Sequence, residues 1–210
     1  MFPISADVLS LFVVSSCALA LAPGPDNIFV LTQSAMNGRA AGLLVTLGLC
    51  TGLLFHTAAV AVGVAAVFAT SAIAFTILKI VGAAYLIYLA WGAFRATGTV
   101  QTEGEGSPIA GAGLYLRGVV MNVTNPKVAI FFLAFLPQFA DPARGSVTWQ
   151  IVLLGAVFMA VTLCVFGTVA WFSGFVGEKI RKSPRVQSTI NKVAGIVFLG
   201  LAGRLLITER

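Results

Sequence analysis

The chain is predicted to be an all-α, polytopic membrane protein, and three observations carry that prediction. Of its 210 residues, 59% belong to the set AVILMFWYC and only 10% are charged, against about 25% charged in an average soluble domain. Mean hydropathy is +0.99. The apolar stretches are continuous rather than alternating, and each approaches or exceeds the roughly 20 residues a spanning helix needs. A soluble chain of this composition would lack the polar surface to cover itself. An ordinary globular enzyme, a disordered chain and a disulfide scaffold are therefore excluded. Lipid offers backbone groups no hydrogen-bond partners, so uninterrupted apolar spans must be helical.

Six spans are expected within a single transmembrane domain, 1–210. Span one covers about 4–31. A secretory leader competes for this segment, because 8–22 is apolar and ends in small residues, but 1–7 contains no Lys or Arg to form its basic end. The segment is therefore read as a mature span. Span two covers about 41–69 and span three about 74–95. A polar stretch rich in Gly, Thr and Glu follows at 97–108, close to the middle of the chain. Span four covers about 115–136, span five about 147–176 and span six about 190–207, with a basic loop at 178–192 between the last two.

The loops also predict orientation. Alternate loops hold Arg39, then Arg95 and Arg117, then Lys179, Arg181, Lys182, Arg185 and Lys192, eight basic residues in all. The other side holds four: Lys79, Arg144, Arg204 and Arg210. Cytoplasmic loops carry the excess of Lys and Arg, so the first group is expected inside and both termini outside. This distribution also accounts for the net charge of +6 without a nucleic-acid partner. Cys17, Cys50 and Cys164 all lie in apolar runs with no paired spacing, as buried free thiols would.

The chain repeats itself. Leu78-Lys79-Ile80-Val81-Gly82-Ala83-Ala84-Tyr85-Leu86 matches Asn191-Lys192-Val193-Ala194-Gly195-Ile196-Val197-Phe198-Leu199 in its lysine, glycine, aromatic and final leucine, at an offset of 113. Gly24-Pro25-Asp26 recurs as Asn125-Pro126-Lys127, at an offset of 101. Two three-span repeats are expected, 1–97 and 110–210. Because three is odd, they must insert with opposite topology. Inverted repeats with interrupted helices at matching positions point to a secondary transporter and to its site.

Spans one and four are the interrupted ones. Pro23, Gly24 and Pro25 stop the incoming helix, and Asp26 follows about 20 mostly apolar residues deep into the chain. An acid there is costly unless paired or wetted. Asn122-Val123-Thr124-Asn125-Pro126-Lys127 mirrors this with amides, a proline and a cation. An anion and a cation at related positions suit a zwitterion, and an Asp26–Lys127 pair that closes when empty would make a gate. The expected substrate site is Asp26, Asn27, Gly24 and Pro25 with Asn122, Asn125, Pro126 and Lys127, and Gln33 two turns beyond. Asp26 is expected to carry the coupling proton. His56, the only histidine, is a second protonatable group within a span. Helix–helix hydrogen bonding is the equally simple reading of His56.

At these residues the chain resembles the LysE/RhtB family of bacterial amino-acid exporters, in its RhtB-like subgroup. The resemblance rests on Ala22-Pro23-Gly24-Pro25-Asp26-Asn27, on 38–48 with Arg39, on 79–86, on Asn122-Val123-Thr124-Asn125-Pro126-Lys127 and on Phe135-Leu136-Pro137-Gln138-Phe139. It implies export of a threonine-, homoserine- or leucine-like amino acid across the bacterial inner (plasma) membrane, driven by an ion gradient, with proton antiport the expected form. A homodimer is expected, since six spans are few to enclose a path. No cofactor and no metal are expected. Gly104-Glu105-Gly106 lacks the lysine of a phosphate-binding loop, and no HExxH or GxSxG occurs, so the chain is not expected to be an enzyme. The competing reading is an intramembrane thiol or electron-transfer protein of related fold.

Overall fold

The computed structural model describes residues 3–22, 24–70, 72–95, 111–173 and 183–207. Pro23, the polar stretch 97–108 and the basic residues Lys179, Arg181, Lys182 and Arg210 lie outside them. The described chain is helical throughout, without a strand.

Span one is two helices, α1 (Ala6–Leu21) and α2 (Pro25–Asn37), inclined at 63°. Proline is tolerated at a helix start, where its missing N–H has no intrahelical partner to lose, and α2 starts on Pro25 with Gly24 as its cap. The helix runs on to Asn37, past the expected end. It stops at Gly38, whose φ of +82° only glycine adopts without penalty. α3 (Arg39–Thr70) and α4 (Ala72–Arg95) follow. Span four breaks likewise into α5 (Gly111–Val123) and α6 (Pro126–Ile130), the latter continuing through a π-helical turn, Phe131–Phe135, and a 3-10 turn, Leu136–Phe139. The two limbs are inclined at 49°. A further 3-10 turn, Pro142–Arg144, leads to α7 (Val147–Phe172), and α8 (Pro184–Ile207) ends the described chain.

α8 departs from expectation at its start. Arg185 and Lys192 lie on the helix, not in a loop. Pro184 opens it, Ser183 O accepts from Gln187 N at 3.2 Å, and Ser183 Oγ accepts from Val186 N at 3.5 Å. Long basic side chains can ride on a helix end and extend their charge to the interface, so polarity there does not mark a loop.

Segments Arg39–Gly63, Val147–Phe172 and Arg185–Ile207 are each long and apolar enough to cross a membrane, and counting each bent pair as one span gives five. α4 adds 24 residues, roughly 36 Å at 1.5 Å per residue. Leu54, Phe55, Val62, Ile80, Tyr88, Trp91 and Ile196 are all more than half exposed. So much exposed apolar surface suits lipid and not water. The protein is a polytopic, all-α membrane protein.

α3 is the central helix, packed against α2, α5 and α7. α4 packs on α8, and α1 lies against α7 and α8. A Cβ on Gly48 would strike the backbone of Tyr115, and one on Gly118 would strike Val45 O. α3 and α5 therefore touch backbone to backbone, as small residues allow in membrane bundles. Two apolar clusters result. The larger is rich in phenylalanine (Phe12, Phe131, Phe132, Phe135, Phe158, Phe198), and the smaller holds Val30, Val45, Leu49, Leu114 and Phe166. Leu19, Ala22 and Val128 belong to the larger cluster and Val30 to the smaller, so both breaks lie where the clusters adjoin.

Candidate functional site at two broken helices

Ending a helix inside an apolar bundle leaves its last carbonyls without donors, and each break here is completed by residues of another segment. At the end of α1, Lys127 Nζ donates to Leu19 O and Ala22 O, both at 3.0 Å, and Asn27 Nδ2 donates to Ala20 O at 2.7 Å. A cation is also the favourable charge at a helix C-terminus. At the end of α5, Asn122 O accepts from Asn125 N at 3.1 Å and bonds His56 Nε2 at 3.1 Å. A carbonyl has no proton to give, so Nε2 is the donor in this contact.

Asn125 ties the breaks together. Its Oδ1 accepts from Lys127 N at 3.0 Å and caps α6, while its Nδ2 donates to Asp26 Oδ2 at 3.0 Å. Asp26 is only 4% exposed. It sits in the first turn of α2, where the helix dipole favours a carboxylate. Its second oxygen, Oδ1, has no partner, and neither do Oδ1 of Asn27 and Oδ1 of Asn122, all three buried. Asn122 and His56 are among the groups around the Asp26 carboxylate. Buried polar atoms are nearly always hydrogen-bonded. Orphaned acceptors at both breaks, on Asp26 and Asn27 at the first and on Asn122 at the second, can receive a ligand with several N–H donors.

Gly24, Pro25, Asp26, Asn27, Asn122, Asn125, Pro126 and Lys127 thus come together. Two expectations change. Asp26 and Lys127 do not form an ion pair: the carboxylate is held by Asn125 and the ammonium by the α1 carbonyls. The α1 carbonyls lie within hydrogen-bond reach of the ammonium, and the negative end of a terminated helix favours a cation. Gln33 is not at the breaks. It lies two turns along α2, accepting at 2.7 Å from Asn37 Nδ2. Gly24 matters through its size, since a Cβ there would come within 3.2 Å of Lys127 Nζ.

The sequence reading did not single out Thr162. It lies on α7, is 3% exposed and carries another orphaned oxygen. Cys17, Cys50 and Cys164 are free thiols, but of the three only Cys50 is buried, Cys17 being half-buried and Cys164 exposed; Cys50 Sγ is directed at Met159 O.

Residues 17–209 match the family model described as LysE type translocator. The chain belongs to the LysE type translocator family. A homoserine/homoserine lactone efflux protein of Salmonella typhi is 34% identical to this translocator over 199 residues, covering 95% of each chain. A protein of the same description from Salmonella typhimurium is 33% identical over the same length. An uncharacterized membrane protein of Vibrio cholerae is 32% identical over 201 residues, 95% of this chain and 96% of the relative. No solved structure matches the translocator.

Proposed function

We propose that this translocator exports a small amino acid or amino-acid derivative of the threonine, homoserine or leucine type from the cytoplasm, by proton antiport across the bacterial inner membrane. The relatives described as homoserine/homoserine lactone efflux proteins support the substrate class. The observation that carries the site is the carboxylate of Asp26, buried at a helix break with one oxygen unsatisfied. Asp26 takes the substrate's ammonium. Lys127 spends two N–H bonds on Leu19 O and Ala22 O and offers its third to the carboxylate. Asn27, Asn122 and Asn125 supply neutral hydrogen bonds. An arriving ammonium competes with a proton for Asp26, which is the coupling that antiport requires, and His56 Nδ1 is the relay position beside it.

The inverted-repeat reading, 1–97 against 110–210, draws support from reciprocal packing: α3 meets α7 and α4 meets α8, while α1 meets α7 as α5 meets α3. The test is efflux of L-homoserine and L-threonine from preloaded proteoliposomes with and without an imposed pH gradient. Gradient-dependent efflux that Asp26→Asn abolishes is expected. Efflux that ignores the gradient but requires sodium would overturn the proton step.

A further inference from the structure

We propose that Thr162 Oγ1 joins Asp26 Oδ1 in an oxygen-only subsite for a small cation, filled by the ammonium of the substrate. This deepens the amino-acid export reading and rests on it for the identity of the occupant.

The first argument is an exception to a rule that the other buried hydroxyls among the described residues obey. A hydroxyl on a buried helix face ordinarily satisfies itself by donating to a carbonyl one turn back. Ser15, Ser16, Ser34, Thr46 and Thr57 all donate to the carbonyl four residues earlier, and Ser173 to that three residues earlier. Thr162 is the buried hydroxyl among the described residues that does not, and it has no other partner. A buried, unsatisfied hydroxyl is destabilising by about 1–3 kcal/mol, so its lack of a partner calls for a ligand.

The second argument is register. Gly42 of α3 packs at once on Ser34 of α2 and Ala170 of α7, placing those two residues side by side. One turn back on each helix, Val30 and Phe166 share a cluster. One further turn back are Asp26 and Thr162. The α3–α7 contact agrees independently. Gly42 against Ala170 and Gly155 against Thr57 bring Thr162 level with Cys50. Two segments distant in sequence, α2 and α7, therefore present unsatisfied oxygens at one level of the bundle. One is a carboxylate oxygen and the other a neutral hydroxyl, and an ammonium has N–H bonds to give to both.

A sodium ion would suit the same oxygens, and the experiment separates the two. Thermal unfolding of the purified full-length protein is followed in methylammonium chloride, in sodium chloride and in choline chloride at matched ionic strength, and separately with L-homoserine. Wild type is compared with Thr162→Val, Thr162→Ser and the exposed control Thr168→Val. Methylammonium is expected to stabilise wild type, Thr162→Ser and Thr168→Val. Thr162→Val should need roughly tenfold more of it, the loss of one hydrogen bond to a charged group. That pattern supports the subsite even if homoserine does not bind, in which case the export reading fails and the subsite stands. Stabilisation by sodium alone, lost in Thr162→Val, keeps the subsite's residues but overturns the ammonium as occupant. Equal methylammonium responses in wild type and Thr162→Val, or none in wild type, overturn the proposal.

Discussion

Asp26 and Lys127 carry opposite charges at matching breaks, yet their surroundings predict different consequences of losing them. Lys127→Met orphans Leu19 O and Ala22 O, each costing about 1–3 kcal/mol when buried without a donor. Asp26→Asn keeps an oxygen able to accept from Asn125 and removes chiefly the charge. Thermal unfolding in detergent should therefore show Lys127→Met clearly destabilised and Asp26→Asn close to wild type, while substrate binding is lost in both. Gly24→Ala tests the same lysine from outside. Its methyl would press on Nζ at 3.2 Å, and transport should fall while the fold, short by about 1 kcal/mol for mild overpacking, persists. The breaks themselves were legible because Pro, Gly and Asp beside one another are a local signal. The partner of Lys127 was not, because a lysine's choice between a carboxylate and helix-end carbonyls is made by packing across 108 residues. Thr162 gave no signal at all: a threonine in an apolar run ordinarily bonds its own helix.

At the scale of elements, the turn before α7 depends on one amide. Gln150, 0% exposed, accepts from Asp141 N at 2.9 Å and donates to Asp141 O at 2.8 Å and Gly145 O at 3.4 Å. Gln150→Leu should leave the helices in place but release 140–146. Hydrogen exchange at the Asp141 amide would accelerate by one to two orders of magnitude, the equivalent of about 1–3 kcal/mol. The α3–α5 pair predicts the opposite behaviour. Gly118→Val drives side-chain atoms into Val45 O, and no rotamer avoids a backbone contact. A loss of folded protein in the membrane is expected, with no restoration by added substrate. Helix boundaries followed their punctuation where proline or glycine marked them, as at Pro25, Gly38 and Pro126. They failed at α8, where the basic residues Arg185 and Lys192 read as loop but lie on a helix. The π-helical turn at Phe131–Phe135 had no sequence signature, since its apolar residues fit an α-helix equally well.

For the whole molecule, three of the four cations that rest on aromatic rings among the described residues belong to the group expected to face the cytoplasm, the fourth being Arg204, 5.9 Å above Phe139. Arg39 lies 4.4 Å above Trp171, Arg95 4.2 Å above Trp91 and Arg117 5.1 Å above Phe29. Such pairs suit the membrane–water boundary, where aromatic residues collect. The orientation proposed for the chain puts this face inside and both termini outside. A reporter active only in the cytoplasm should stay silent when fused after residue 210 and become active when fused within 97–108. Activity at the terminus would reverse the orientation.

The cross-stitching of the two breaks also sets an order of events during synthesis. Asp26 waits for Asn125, 99 residues downstream, and the carbonyls of Leu19 and Ala22 wait for Lys127, 108 and 105 residues downstream. Until the second half emerges from the ribosome, the first half has entered lipid with a lone acid and an open helix end, groups that lipid cannot satisfy. A fragment of residues 1–97 made alone should be recognised as incomplete and degraded. The same fragment co-produced with residues 110–210 should survive, and pulse-chase lifetimes of the two would measure how far the nascent first half depends on the arrival of the second.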